Sequence, residues 1–209
     1  MSEKIRVLVA DDHPVVREGL VSLIDRQPDM QVVGEAGTGR EALESHRSHH
    51  PDVTMMDLRM PEMTGIDAIV AIRREEPEAR IVCLTTFDGD EDIYRALHAG
   101  ARGYLLKGFS RELLLECIRT VYRGEMWIPP AVAGKLATRV GRPELSTREM
   151  DVLGHLVRGR ANKEIATSLN ITEGTVKVHV NHIFIKLGVN GRTEAISEAL
   201  KRGIVNLPE

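Results

Sequence analysis

The chain of 209 residues has few cysteines and lacks a long apolar run. Cys83 and Cys117 fall at apolar positions and form no C-x-x-C pair, so we expect buried free thiols rather than a disulfide or a metal site. No apolar stretch approaches the ~20 residues that a membrane span needs. Because residues 1–4 lead directly into a strand-like run, we expect no signal peptide, no membrane partner and a cytoplasmic location.

Neither sign of charge dominates the chain, whose formal net charge is −3. The two parts of the chain nevertheless differ. Residues 1–125 carry 16 lysines and arginines against 23 aspartates and glutamates, whereas residues 126–209 carry 12 against 8. Positive charge favours nucleic-acid binding, so the C-terminal part is the candidate for that role. Its excess is small, and we therefore expect binding to depend on pairing two copies on DNA.

The first part of the chain alternates strand-like and helical patterns. This alternation is typical of a parallel sheet that is covered by helices on both faces, and it predicts an α/β domain with five doubly wound strands over residues 1–124. The predicted strands lie at 5–10, 31–36, 53–57, 80–85 and 103–106, and the predicted helices lie at 14–26, 39–48, 65–75, 90–99 and 110–123.

Ionisable and hydroxyl side chains follow or end four of these strands. They are Asp11 and Asp12, Asp57, Thr85 and Lys107. The carboxyl ends of parallel strands share one edge of the sheet, so these residues should converge on one site. Three carboxylates at close range repel one another unless a cation lies among them, and a small divalent ion with oxygen ligands fits. The sequence therefore predicts a Mg²⁺ site.

The same residues predict a phosphoryl-transfer chemistry. A carboxylate can attack phosphorus and form an acyl phosphate, while an ammonium group neutralises the transferred oxygens. Asp57 is the expected phosphoacceptor and Lys107 its counter-charge. The Thr85 hydroxyl would donate a hydrogen bond to the new phosphoryl group, so its rotamer should differ between the two states.

Two enzyme classes are alternatives at this point. Gly37-Thr-Gly39-Arg-Glu-Ala42 matches the dinucleotide-binding fingerprint, although it would have to belong to the first strand of the fold and here follows the second. A phosphatase with an aspartate nucleophile would need a second aspartate two residues after Asp57, where this chain has Arg59. We therefore expect a protein without enzymatic turnover.

After Gly124 the pattern changes. Residues 125–143 contain Glu125-Met-Trp-Ile-Pro-Pro130, a short helical stretch from Ala131 to Val140 and a Gly-Arg-Pro turn, which together predict a linker in which Trp127 packs on one of the domains. Residues 144–209 show four short helical patterns and no strand, which predicts a smaller all-α domain. Its second and third helices, within 162–187, have the layout of a helix-turn-helix.

The third of these helices has two distinct faces. Val176, Val180, Ile183 and Leu187 have the spacing of a buried stripe, and the opposite side carries Lys177, Val178, Asn181 and Ile185. Lysine reaches guanine or phosphate, asparagine pairs with adenine and valine contacts a thymine methyl group, so this face suits the major groove.

The first domain resembles the receiver domain of bacterial two-component response regulators, which has a flavodoxin-like fold. The resemblance rests on the aspartate pair, on Asp57 with the following Leu-Arg-Met-Pro61 and Gly65, on Thr85, and on Tyr104-Leu-Leu-Lys107. It implies phosphorylation of Asp57 by a histidine kinase, with Mg²⁺ held by Asp12, Asp57 and the main-chain carbonyl of Arg59. It also implies that Tyr104 changes rotamer together with Thr85.

The second domain resembles the LuxR-type helix-turn-helix of NarL/FixJ response regulators. Three segments carry this resemblance: Leu145-Ser-Thr-Arg-Glu-Met150, Asn162-Lys-Glu-Ile-Ala166 and Thr172-Glu-Gly-Thr-Val-Lys-Val-His-Val180. It implies base contacts by Lys177, Val178 and Asn181, and phosphate contacts by Thr175 and Lys186. Two residues depart from the family pattern. Ile185 replaces a charged residue and Gly191 an acidic or polar cap, so we expect weaker DNA binding than in a typical relative.

Together these patterns predict a transcription regulator that binds DNA when Asp57 is phosphorylated, with RNA polymerase as a further partner. We expect a homodimer in the active state, and Ala195, Ile196, Ala199 and Leu200 lie on one side of the last helix, where they form either a dimer contact or intradomain core. The alternative is a regulator that acts through protein contacts of its receiver and does not depend on phosphorylation.

Overall fold

The computed structural model describes residues 3–86 and 89–205. The chain forms two compact units, one comprising residues 1–88 and 93–134 and the other residues 89–92 and 135–209. No helix within the described ranges is both long enough and apolar enough to cross a membrane.

The first unit is built on a parallel sheet of five strands in the order β2-β1-β3-β4-β5. The order reverses between β1 and β3, which is where such sheets place their ligand sites. The strands are β1 (Ile5–Ala10), β2 (Met30–Ala36), β3 (Val53–Met56), β4 (Ile81–Thr85) and β5 (Gly103–Leu106).

The helices of this part are α1 (Pro14–Asp25), α2 (Gly39–His49), α3 (Gly65–Glu75), α4 (Asp90–His98) and α5 (Arg111–Tyr122). A residue with a short polar side chain caps the N-terminus of three of these helices. The side chains of Thr38, Thr64 and Ser110 each accept a hydrogen bond from the backbone N–H three residues later, which satisfies a donor that the first helical turn leaves unpaired.

The central strands are buried on both faces. Every residue of β3 and β4 is buried, as the near-continuous apolar runs in the sequence predict. Cys83 and Cys117 are both buried free thiols, as expected, and burial raises the pKa of each. Trp127 packs against the core of this unit, and its backbone N–H donates to the carbonyl of Arg102 at 2.9 Å. These contacts confirm that Trp127 packs on one of the domains, as predicted.

The remaining helices are α6 (Pro130–Val140), α7 (Thr147–Val157), α8 (Asn162–Leu169), α9 (Glu173–Leu187) and α10 (Arg192–Lys201). Ser146 and Glu149 form a capping box at the start of α7. Asn170, in the left-handed conformation at φ 52°, ends α8 and turns the chain into α9. The helix-turn-helix predicted over 162–187 is therefore present.

The observed elements confirm the predicted α/β and all-α architecture, and each bound differs from the prediction by at most one residue. The last helix was expected to have a weak start, and Gly191 indeed provides no side-chain cap. Ala195 and Ala199 are fully buried in the core of the second unit, so this pair belongs to the intradomain packing. Residues 206–209 of the predicted second domain lie outside the described residues.

Candidate functional site

The parallel ladder brings the predicted residues to one edge of the sheet. The N–H of Asp57 donates to the carbonyl of Ala10 at 2.8 Å, and the N–H of Lys107 donates to the carbonyl of Thr85 at 2.7 Å. These two hydrogen bonds continue the β1–β3 and β4–β5 pairings past the strand ends. The side chains of Asp57 and Lys107 therefore lie at the same edge of the sheet.

Lys107 joins two of the carboxylates. Its Nζ lies 2.6 Å from Oδ2 of Asp57 and 2.8 Å from Oδ2 of Asp11. Asp11 is fully buried, Asp57 is 3% exposed and the lysine side chain is 13% exposed. Pairing at this depth favours the charged forms because water screens the interaction little.

Burial and the lysine act in opposite directions on Asp57. Loss of solvation raises the pKa of Asp57 above its ordinary value and nearby Asp11 raises it further, whereas the hydrogen bond and charge of Lys107 lower it. Burial alone would lower the pKa of Lys107, but its hydrogen bonds to Asp11 and Asp57 raise it, so the ammonium stays charged. A carboxylate held beside a fixed cation is a suitable nucleophile for phosphorus.

The acidic pocket next to this pair has the ligands of a divalent metal site. Ligand atoms of Asp11, Asp12, His13 and Asp57 all lie within 4.8 Å of one another. Oxygen-rich sites of this size suit Mg²⁺ or a similar ion, so the donor set fits the predicted cofactor class. Sequence reasoning missed His13, although its position directly after the aspartate pair was a usable signal.

The loop after Asp57 is held against the site. The N–H of Arg59 donates to Oδ1 of Asp57 at 3.3 Å, and the N–H of Gly65 donates to the carbonyl of Leu58 at 2.9 Å. A Cβ atom at Gly65 would lie 1.9 Å from the carbonyl oxygen of Asp57, so only glycine allows α3 to begin this close to Asp57.

The two predicted switch residues are fully buried. Thr85 is the last residue of β4, and Tyr104 lies on β5 in register with Cys83. Thr85 thus stands one strand away from Lys107 at the edge where Asp57 lies. The packing of Tyr104 inside the unit means that a change of its rotamer would alter the neighbouring core.

The glycine-rich turn that resembles a dinucleotide fingerprint lies elsewhere. It follows β2, which is the edge strand, whereas the order reverses between β1 and β3. A Cβ atom at Gly39 would lie 2.2 Å from the carbonyl oxygen of Met63, so close packing of α2 accounts for this glycine. The nucleotide-binding alternative has no support from this location.

The predicted two faces of α9 are present. Val176, Val180, Ile183 and Leu187 are buried, and Val178 and Ile185 are among the large apolar side chains most open to solvent, with 51% and 77% exposure. Lys177 and Asn181 share the exposed side, and Lys177 lies 3.0 Å from Glu173 one turn before it. Thr175 lies in the first turn, where its N–H donates to Thr172.

Lys186 differs from the other predicted DNA contacts. Its Nζ lies 2.7 Å from Oε2 of Glu149 and donates to the carbonyl of Glu144 at 2.9 Å. Glu149 is 4% exposed, and its carboxylate also accepts from the N–H of Ser146 at 2.7 Å. Burial alone would raise the pKa of Glu149, but the bonds from Lys186 and Ser146 lower it. Sequence reasoning missed this link between α7 and α9.

Models of two known protein families match the two parts of the chain. Residues 7–119 match the model of the response regulator receiver domain, and residues 143–199 match the model of bacterial regulatory proteins of the luxR family. Response regulators with a DNA-binding domain are a non-enzymatic class of transcription factors, which sets aside the dinucleotide-binding and phosphatase alternatives.

Individual proteins match along nearly the whole chain. The uncharacterized transcriptional regulatory protein YxjL of Bacillus subtilis is 40% identical over 97% of this chain and 98% of its own length. The response regulator protein VraR of Staphylococcus aureus is 37% identical over 96% of this chain and 99% of its own length. The structure of the RcsB–DNA complex superposes with a TM-score of 0.69 and 26% identity, covering 95% of this chain and 99% of that one. The chain therefore belongs to the two-component response regulators that combine a receiver domain with a LuxR-type helix-turn-helix domain.

Proposed function

We propose that a histidine kinase phosphorylates Asp57 and that this modification controls the binding of the helix-turn-helix domain to promoter DNA. The observation that carries the proposal is the buried carboxylate of Asp57 with the Lys107 ammonium 2.6 Å away, in a chain that also has an exposed recognition helix. We assign residues 1–124 to the receiver, 125–143 to the linker and 144–209 to the DNA-binding domain.

In the transfer step, an oxygen of Asp57 forms a bond to phosphorus as the bond from phosphorus to the kinase histidine breaks, and the histidine nitrogen keeps the electron pair. Lys107 stays beside the phosphoryl oxygens and offsets their charge. Asp11, Asp12, Asp57 and the main-chain carbonyl of Arg59 would hold Mg²⁺. When bound, the ion supplies positive charge that further stabilises the transferred group.

Thr85 is the proposed link between the modification and the rest of the receiver. A phosphoryl group on Asp57 offers strong acceptor oxygens, and the Thr85 hydroxyl can donate to one of them from the end of the next strand. A new Thr85 rotamer changes the space available to Tyr104, and the packed receiver would respond as a two-state element.

On DNA, Lys177, Val178 and Asn181 would contact base edges and Thr175 a backbone phosphate. Lys186 has three N–H donors, of which two serve Glu149 and Glu144, so a third remains for a phosphate. The active protein would bind paired half-sites as a homodimer, interact there with RNA polymerase and work in the cytoplasm, where the chromosome is.

Affinity selection of genomic DNA fragments tests this proposal. The purified protein is incubated in Mg²⁺ with and without beryllofluoride, a phosphoryl mimic, and an Asp57→Ala variant serves as the control. Enrichment of a repeated, roughly palindromic sequence only by the parent protein with the mimic supports the proposal. Equal enrichment under all conditions removes the switch, and no enrichment favours a regulator that acts through receiver contacts alone.

A further inference from the structure

We propose that His13 is an additional ligand of the receiver metal site and that its imidazole raises the affinity of the site for Ni²⁺, Cu²⁺ and Zn²⁺. The inference deepens the proposed function, because it rests on the divalent site of Asp11, Asp12 and Asp57. It concerns a side chain to which neither the phosphoryl chemistry nor the fold gives a role.

The imidazole of His13 is hydrogen-bonded to one carboxylate of the acidic pocket and lies close to a second. Its Nδ1 lies 2.6 Å from Oδ1 of Asp12 and 3.4 Å from Oδ1 of Asp11. Two adjacent ligands of an octahedral ion, each at its usual bond length, stand about 2.9 Å apart. The two observed separations lie on either side of this value, so His13 and the two aspartates are close enough together to hold one ion.

The backbone holds His13 ready for this contact. Its N–H donates to Oδ1 of Asp11 at 2.9 Å, and Pro14 restricts it to the extended conformation observed, with φ −89° and ψ 107°. A residue at a helix N-cap ordinarily uses its side chain to accept from the first turn, but His13 makes no such bond. The imidazole is instead directed to the carboxylate of Asp12.

The other groups around the pocket leave this position to His13. Lys107 binds Oδ2 of Asp11 and Oδ2 of Asp57, so its ammonium group occupies one side of the carboxylate cluster. The imidazole approaches Oδ1 of Asp11 and Oδ1 of Asp12, and its side chain is 67% exposed. An ion could therefore enter from solvent between His13 and the aspartates without displacing the lysine.

The choice of ion follows from ligand chemistry. Carboxylate, carbonyl and water oxygens suit Mg²⁺ and Mn²⁺, whereas imidazole adds affinity for Ni²⁺, Cu²⁺ and Zn²⁺. A site of three carboxylates and one imidazole should thus bind Ni²⁺, Cu²⁺ and Zn²⁺ more tightly than the carboxylates alone. The affinity for Mg²⁺ should depend little on His13, because Mg²⁺ readily keeps a water in that position.

The direct test is pulsed electron paramagnetic resonance of untagged full-length protein loaded with Mn²⁺. A directly bound imidazole gives a nitrogen-14 coupling to the Mn²⁺ electron spin. We expect this coupling in the parent protein and in a His98→Ala control, which removes an exposed histidine of α4, and its loss in His13→Ala. Calorimetry should show about a tenfold loss of Ni²⁺ affinity in His13→Ala and an unchanged affinity for Mg²⁺.

The possible results separate this inference from the proposed function. Bound Mn²⁺ without a nitrogen coupling in the parent protein overturns the role of His13 and leaves the carboxylate site intact. A coupling that survives in His13→Ala overturns that role as well, because the nitrogen must then come from another residue. If the parent protein binds neither Mn²⁺ nor Mg²⁺, the divalent site of the proposed function fails too.

Discussion

The ammonium group of Lys186 lies 2.7 Å from the buried carboxylate of Glu149, so a lysine of the DNA-facing helix α9 is also the ion-pair partner of the capping box of α7. The pair connects the two helices at a position where Glu149 has almost no contact with solvent. Lys186 therefore takes part in the packing of the domain and is also a proposed phosphate contact, and the two roles can be measured separately.

We expect Lys186→Met to lower the free energy of unfolding of the helix-turn-helix domain. Removing the lysine leaves a buried carboxylate with one charged partner fewer, and a hydrogen bond to a charged group contributes about 2 kcal/mol. Glu149→Gln should have a similar effect, and the double variant should cost less than the sum of the two. Chemical denaturation of the four proteins measures the coupling, and strictly additive losses would contradict an ion pair.

The pH dependence of this pair has a definite sign. The pKa of Glu149 is lower in the folded protein than its ordinary value of 4.5. The pair therefore stabilises the fold above that value, and its contribution disappears as the pH falls through the lowered pKa. The difference in stability between the parent protein and Glu149→Gln should accordingly shrink in acid.

Asp57 shows the opposite behaviour. Its pKa in the folded protein is raised above the ordinary value of 3.8, chiefly by burial, so ionisation costs the folded state free energy. We expect the free energy of unfolding of Asp57→Asn to exceed that of the parent protein at neutral pH without metal, by on the order of 1 kcal/mol.

This gain should vanish in acid. Below pH 3.8 the carboxyl is protonated in both the folded and the unfolded protein, and the advantage of Asp57→Asn grows only as the pH rises from there through the raised pKa. Thermal unfolding at several pH values in the presence of a chelator measures this pH dependence, with Glu18→Gln at an exposed position of α1 as a control. An asparagine variant that is less stable at neutral pH would contradict the assigned cost of burial.

The residues of the phosphoacceptor site were predictable because their positions follow from chain order alone. Asp57 and Lys107 each follow an apolar strand, and parallel strands bring their carboxyl ends to one edge whatever the details of side-chain packing. The strand order is a tertiary property. For this reason the glycine-rich turn at Gly39 matched a nucleotide motif in sequence, although β2 lies at the edge of the sheet.

Contacts that depend on side-chain rotamers or on the packing of one helix on another could not be predicted from chain order. The capping box of Ser146 and Glu149 is local, and a spacing of three residues identifies it. The bond from Glu149 to Lys186 spans 37 residues and depends on how α7 packs on α9. His13 follows Asp12 directly in the sequence, which was a usable signal, but the approach of its Nδ1 to the Asp12 carboxylate depends on a side-chain rotamer that the sequence does not report.

The role of Thr85 can be tested by removing only its hydroxyl. We expect Thr85→Ala to accept phosphate on Asp57 but to lose most of the increase in DNA binding that beryllofluoride produces, because no donor from β4 reaches the phosphoryl group. Thr85→Ser keeps the hydroxyl and should retain the response. Phosphorylation is measured with a small phosphodonor and DNA binding by fluorescence anisotropy. A full response in Thr85→Ala would contradict the proposed switch.

Ile185 offers a test of the DNA-facing surface itself. Its side chain is 77% exposed on the side of α9 that carries Asn181, where solvent contact of an apolar group has no benefit for folding. We expect Ile185→Arg to bind DNA more tightly and to steepen the slope of log K against log salt by roughly 0.9, the effect of one added phosphate contact on B-DNA. Ile185→Gln, which is polar but uncharged, should leave the slope unchanged. Titrations at several salt concentrations with one DNA duplex distinguish the two variants, and an arginine variant with neither higher affinity nor a steeper slope would show that residue 185 lies away from the phosphates.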